Sequence, residues 1–465
     1  MFTVLFIAFM LLSMSVALVD WRRGWLLAIL CGVLQDPARK LTSGTPVIMS
    51  LSIVLVYAIV LFAAQTELQV YARDFLRRFS YLYAALLLVI VFLALAAVNG
   101  IVTFGLDNWK IPALSLFIYC MPMPALLLGY AWLQREEQLE KLFRFYAILT
   151  SLALIGTPLE YLRINSPVLG TVGIDYNLRF IKGIEVRLLS GFYRAPDIMG
   201  WHAATLACIG VIMALRRRTL ATAWPWMFAA AWGFVNCVMS GRRKAVYMVA
   251  AFAVAFLWRY IRRLKFTEAF AFIFLAAILG GVVLQLGQNE ESSVYARGAA
   301  TTRDELFGRL EGGVGATIDQ FGFLGAGLGT ATQGTQHLSG GTGFAWQEGG
   351  LGKLAIELGV PGLLALALTA VVMMQLLLKI TRHPDIPETS QLLRAGLFAM
   401  FIGDAVTFMA AAQAYSDPLL TLFSAFTLGC LFATSQLDER AQTATALTAA
   451  PIPGRRTASG AIATT

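Results

Sequence analysis

Long apolar runs separated by short polar breaks organise almost the whole chain. They fall near residues 3–19, 24–35, 45–64, 82–99, 111–133, 143–157, 197–215, 222–239, 245–260, 267–286, 351–378, 392–411 and 416–434. Most have the length, about 17–25 residues, that a helix needs to cross roughly 30 Å of hydrocarbon. An open sheet or loop in lipid would leave backbone groups unpaired, so the runs read as helices. The alternating pattern of a membrane barrel is absent. The run at 24–35 is too short to cross alone and reads as half of a bent element. The expected fold is an all-α polytopic membrane protein with about 12–13 transmembrane helices in one domain, 1–434. Residues 435–465 are rich in Ala, Thr, Pro and Gly and read as a disordered cytoplasmic tail.

Composition agrees with this pattern. Hydrophobic residues make up 58% of the chain and charged ones 14%, against about 25% charged in soluble domains. The net charge of +9 does not point to nucleic acid, because Lys and Arg sit in short clusters between apolar runs, not on a basic face interleaved with aromatics. The five cysteines lie in apolar stretches without CxxC spacing, which suggests neither a disulfide framework nor a zinc site. Arg22 and Arg23 follow the first apolar run instead of preceding it, so that run reads as a retained helix and not a secretory leader.

The basic clusters orient the spans. Arg73/Arg77/Arg78, Arg216–Arg218, Arg259/Arg262/Arg263/Lys265 and Lys379/Arg382 all fall on one side if the spans alternate, and that side is expected to be cytoplasmic. The C-terminal tail falls there too. Two long segments, about 158–196 and 287–350, then face outward. Loops of that length are usually functional or disordered, and the Trp, Tyr, Phe and Gly in these two suit a shaped surface. One cluster breaks the rule: Ser240-Gly241-Arg242-Arg243-Lys244 sits in a tight outward turn. Either a span is misassigned or the cations serve an anionic ligand, for which arginine is well suited.

The outward segments carry the candidate chemistry. The first ends in Ser190-Gly-Phe-Tyr-Arg194-Ala-Pro196-Asp197. The second holds Arg303, then Gly325-Ala-Gly327-Leu-Gly329, His337 and Glu348, and leads into Lys353, Glu357, Gly359 and Gly362. The glycine run lacks the third glycine and the strand–helix unit of a dinucleotide fingerprint. Of the other polar residues, Asp404 is the sharpest intramembrane acid, with Gly403 beside it suggesting close packing against a polar partner. His202 reads as a satisfied interfacial residue and His383 as solvated.

Four stretches resemble the O-antigen ligase and polymerase family of bacterial inner-membrane proteins. Asp36-Pro37-Ala38-Arg39 is similar to an early Asp-Pro-x-Arg, Gly191–Pro196 to a Gly-x-Phe-x-x-Pro stretch before a helix, and Ser240-Gly241-Arg242 to a Ser-Arg pair after a central span. Arg303–Leu306, Gly325–Gly329 and Glu357–Gly362 follow the order of the family's long periplasmic loop. The resemblance covers about 185–380 well and the rest only by topology. It implies a metal- and cofactor-independent glycosyltransferase that moves glycan from undecaprenyl diphosphate to a glycan or lipid acceptor at the periplasmic face. A chain-length regulator or export proteins would be further partners. On this reading Arg194, Arg242, Arg243 and Arg303 bind the diphosphate, bidentately and with permanent charge. The family's histidine, about nine residues before the Glu-x-Gly pair, is replaced here by Glu348, so either Glu348 or His337 handles the acceptor proton. That departure favours polymerase over ligase. The alternatives are a transporter or channel, and a non-catalytic component of a polysaccharide export complex.

Overall fold

The apolar runs fold as helices wherever the computed structural model describes them. It covers residues 2–172, 178–181, 184–217, 219–260, 314–332, 345, 347–382 and 387–449, with the backbone alone described at 178–181, 184–187, 243 and 441–449. In chain order the helices are α1 (Phe2–Val19), α2 (Trp21–Lys40), α3 (Ser52–Arg78), α4 (Ser80–Phe104), α5 (Lys110–Cys120), α6 (Pro122–Trp132), α7 (Glu136–Ala153) and α8 (Gly156–Tyr161). An antiparallel hairpin, β1 (Leu178–Ile181) with β2 (Ile184–Arg187), precedes α9 (Pro196–Leu215), α10 (Leu220–Met239) and α11 (Arg243–Tyr260). Then come α12 (Gly350–Thr381), α13 (Glu388–Ala410) and α14 (Pro418–Ala449). Among the described residues nine helical segments are long and apolar enough to cross a membrane: α1, α3, α4, α5–α6, α7–α8, α9, α12, α13 and α14. The protein is thus an all-α polytopic membrane protein. Helices α2, α10 and α11 coincide with three more of the expected runs. The expected span at 267–286 lies outside the described residues.

Two expected boundaries change. The run at 24–35 is not a half-element: α2 has 20 residues, about 30 Å at 1.5 Å per residue. Its polar ends extend it, because Asp20 caps the N-terminus by accepting from the Arg22 and Arg23 amides and the last turn is held by polar contacts described below. The segment from 435 is not a loose tail throughout, since α14 continues to Ala449. Asp438 pairs with the buried Arg394 at 2.5 Å and Glu439 with Arg78 at 2.5 Å. Residues 450–465 lie outside the described residues.

Contacts between helix ends sort the bundle into two faces. At one, which carries the end of α14, Arg216 meets Glu136 and Arg259 meets Thr381. At the other, the end of α2 meets the starts of α9 and α14, and the end of α4 meets residues 325–326. We call these the tail face and the loop face. Helix α9 lies at the centre and is buried along most of its length, whereas α1, α4 and α12 turn more of their surface outward. Small residues let backbones approach closely where packing in lipid must supply the adhesion. Gly210 lies against the Ala230 backbone and Gly233 against Ala203 and Ala207; Gly129 and Gly429 pack α6 on α14.

Helix α12 is interrupted. Gly359 takes φ +64°, a conformation open to glycine at little cost. The break receives a non-helical segment from the loop face: Val360 N–H donates to Phe323 O at 2.9 Å and Ala326 N–H to Ile356 O at 2.7 Å. The same segment reaches Ala96, about two turns inside α4, where Leu328 N–H donates to the Ala96 carbonyl at 2.9 Å. Backbone of this kind is tolerated at membrane depth when protein surrounds it.

Candidate functional site

Polar side chains gather at two neighbouring centres on the loop face. The first surrounds the N-terminus of α9. Arg194 directly precedes the N-cap Ala195 and is held by two buried carboxylates from opposite ends of the chain. Its Nη1 lies 2.8 Å from Asp36 Oδ1 and its Nη2 lies 2.5 Å from Asp417 Oδ2, while its amide donates to Asp36 Oδ2 at 3.0 Å. Burial alone would lower the Arg194 pKa, but the two carboxylates outweigh it and hold the pKa above its ordinary value.

The last turn of α2 fixes the same segment. Lys40 Nζ donates to the carbonyls of Val168, Gly191 and Tyr193 at 3.2, 2.8 and 2.7 Å. Burial lowers its pKa to about 8 against the raising effect of Asp36 and Glu160. Arg39 donates to Thr45 O and Ser50 Oγ. Glu160 accepts from the amides of Ser190 and Gly191 at 2.9 and 2.6 Å. Gly191 is required here, because its φ is +56° and an added Cβ would lie 2.7 Å from the Thr157 nitrogen. Below this layer Tyr193 stacks on His202, and His202 Nδ1 lies 2.8 Å from the Tyr146 hydroxyl. His202 is thus satisfied, though deep in the protein and not at its rim. Asp404 accepts from Trp201 Nε1 at 2.9 Å and from the Tyr415 hydroxyl at 3.2 Å.

The turn after α10 joins this centre. Gly241 adopts φ +66°, and Arg242 Nε reaches Asp197 on the first turn of α9 at 3.3 Å. Lys244 Nζ lies 3.6 Å from Glu348 Oε2 and 3.5 Å from Gln413 Oε1. Thus Arg194 and Arg242 sit at the start of α9, and Glu348, from a third part of the sequence, is linked to the same turn through Lys244. The Arg242–Lys244 cluster faces the same side as the long loops, as its expected position required. The backbone of Arg243 opens α11, while its side chain, Arg303 and His337 lie outside the described residues.

The second centre is where the non-helical segment meets α12. Glu357 is fully buried and saturated with donors. Oε1 accepts from Gly329 N–H at 3.1 Å, Ala331 N–H at 3.1 Å and Thr332 Oγ1 at 2.8 Å, and Oε2 accepts from Tyr119 at 2.6 Å. One turn earlier, Lys353 is 7% exposed, with Nζ 5.3 Å from the centre of the Tyr119 ring. Glycine is needed at 327 and 329, where φ is +92° and +95° and the chain lies against Gly100 and Ile111.

Sequence reasoning singled out neither Asp417 nor Lys40. Asp417 lies at the very start of the last apolar run and Lys40 follows a short one, so each looked like an ordinary helix-end charge. Glu357 was visible only as part of a glycine-bearing motif, and the signal that sets it apart is an acid placed two residues before a helix-breaking glycine. Comparison with protein-family models and with curated proteins finds no match.

Proposed function

We propose that the protein is a glycosyltransferase of the bacterial inner membrane whose loop face is periplasmic. In this reading it extends or transfers glycan carried on undecaprenyl diphosphate. The acceptor hydroxyl attacks the anomeric carbon, the carbon–oxygen bond to the diphosphate breaks, and the electron pair leaves with the lipid diphosphate. The hydroxyl proton passes to Glu348 or His337. The observation that carries the reading is that Arg194 and Arg242 sit at the start of α9 while Lys244, two residues after Arg242, holds Glu348. Cations held in a fixed, half-buried frame stabilise a leaving diphosphate without reorganising. Within that frame Arg194 already faces two carboxylates, so it acts by holding the site in shape. Arg242, Arg243 and Arg303 are left as the diphosphate ligands. Polymerisation is favoured because an acid occupies the place of the family's histidine.

The test is the lipid-linked glycan profile of cells that carry Arg242→Ala or Arg303→Ala at normal protein level. Long glycan should disappear and lipid-linked single units accumulate. Normal chain length in both variants would remove the arginines from the mechanism.

One observation favours transport as a second reading. Interrupted helices with buried ionisable groups are common at transporter binding sites, and α12 is broken beside Lys353 and Glu357. Uptake into proteoliposomes without any glycan product would select that reading.

A further inference from the structure

Connecting segments usually run over the surface of a protein. The connector from α13 to α14, residues 411–417, does not. Ala411, Ala412, Ala414 and Asp417 are buried. Near its start, Ala412 N–H donates to Glu348 O at 3.0 Å. At its end, Asp417 pairs with Arg194. Between the two, the Tyr415 hydroxyl donates to the Asp404 carbonyl at 2.7 Å, and Tyr415 O accepts from Thr421 Oγ1 at 2.8 Å. Asp417 N–H donates to Ala414 O at 2.9 Å, and Asp417 Oδ1 accepts from the Leu420 amide at 3.2 Å. Tied at both ends and in the middle, the connector sets how Glu348 stands relative to Arg194. The end of α13 fixes the same stretch, because a Cβ at Gly350 would lie 2.3 Å from Phe408 O.

Gln413 is the connector residue whose side chain reaches the candidate base. Its Oε1 lies 3.5 Å from Lys244 Nζ, and Glu348 Oε2 lies 3.6 Å from the same atom. An amide oxygen and a carboxylate thus share one largely buried ammonium, each at the outer limit of a hydrogen bond. An ammonium drawn fully onto Glu348 would favour the charged carboxylate and weaken it as a base. The Gln413 oxygen opposes that movement. Of the neighbouring elements, α11 presents Lys244 to Glu348 and the connector presents neutral groups. The turn before α11 sends Arg242 to Asp197 on α9, and Arg194 faces Asp36 and Asp417.

We propose that Gln413 is a positioning residue for the transfer reaction: from the rigid connector it holds Lys244 back from Glu348 and so sets the strength of that carboxylate as a base. The role in transfer rests on the reading of Glu348 as the general base. The hold on Lys244 does not depend on that reading.

The test uses the full chain in proteoliposomes. The titration of Glu348 is read as the infrared carboxylate band that is lost in Glu348→Gln, and transfer from glycan-charged undecaprenyl diphosphate is measured against pH. Gln413→Met keeps the size and removes the acceptor, so Lys244 should settle on Glu348 and move its titration to lower pH by about half a unit or more. Gln413→Glu offers Lys244 a second carboxylate and should move the titration to higher pH by about the same amount. The acidic limb of kcat should follow each shift, with KM for the donor within about twofold of wild type. A Glu348 titration that stays in place in both variants, or moves the same way in both, overturns the role of Gln413. A side chain with a merely structural role would lower stability or kcat without moving the limb. If Gln413→Met fails to fold, Gln413→Glu decides alone, and an unmoved or lowered titration overturns the proposal. If the wild-type chain transfers no glycan, or the limb does not follow the infrared shifts, Glu348 is not the base, while opposed shifts still establish the hold of Gln413 on Lys244.

Discussion

Replacing Arg194 by methionine isolates the question of what this arginine does. The side chain is 14% exposed, and its two carboxylate partners, Asp36 and Asp417, are 3% and 2% exposed. Removing one member of a buried ion pair typically costs about 3–5 kcal/mol because a charge is left without compensation. Here two carboxylates would be stranded, so Arg194→Met should reach the upper part of that range. Converting both acids to amides in the same background removes the stranded charge. The triple variant Arg194→Met/Asp36→Asn/Asp417→Asn should therefore recover most of the loss, and Arg194→Met/Asp417→Asn about half. Thermal melting of the detergent-solubilised protein, followed by tryptophan fluorescence and by retention of monodisperse protein, measures all four forms. If Arg194→Met melts with the wild type, the arginine is not a structural centre and its assignment to the frame is wrong. If the amide substitutions deepen the loss, the stranded-charge argument is wrong.

Three further outcomes follow from the same geometry. Glu357→Ala strands two amides, a threonine hydroxyl and a tyrosine hydroxyl, at about 1–3 kcal/mol per buried group without a partner, so the amides of Gly329 and Ala331 should exchange hydrogen at least ~100-fold faster (about 2.8 kcal/mol at 1.4 kcal/mol per tenfold); unchanged protection would contradict the clamp. Burial lowers the Lys40 pKa to about 8 from 10.5, so the folded chain gives up this proton before the unfolded chain does. Stability relative to Lys40→Met should then rise as pH goes from about 8 to 10.5, by up to about 3 kcal/mol, and stay flat below pH 8; a falling difference in melting temperature over that window would reverse the sign. Glu348→Gln should lower glycan transfer by about 10²–10⁴-fold if this carboxylate is the general base, without changing the melting temperature, and an unaffected rate would leave His337 as the remaining candidate.

The membrane-spanning fold was legible because hydrocarbon thickness acts on each helix separately. Runs such as 82–99 and 392–411 report their crossings without knowledge of their neighbours, and they match α4 and α13 to within a few residues at each end. Helix α2 was underestimated for the same reason: Arg22, Arg23, Asp36, Arg39 and Lys40 lower its apolar signal, although Arg22, Asp36 and Lys40 are paired with groups far away in sequence and Arg23 and Arg39 with nearer ones. The end of α14 was misjudged because the Asp438–Arg394 contact spans 44 residues. At the site, Arg194, Arg242 and Glu348 could be chosen from charge, loop position and motif. That Arg194 is tied to Asp36 and Asp417 could not, since nothing local to any of the three announces a partner 158 residues from Asp36. The same holds for Lys353 and Glu357, whose meaning depends on the non-helical segment lodging in the break at Gly359.

Glycan transfer from a lipid diphosphate at the loop face, as proposed, is open to direct measurement. Purified protein in proteoliposomes, supplied with glycan-charged undecaprenyl diphosphate, tests it by quantifying glycan length and released undecaprenyl diphosphate together. The expected result is longer glycan with one lipid diphosphate released per bond formed, and loss of both in Arg242→Ala and Glu348→Gln. Intact donor and unextended glycan with the wild-type protein, alongside movement of the substrate across the bilayer, would contradict it.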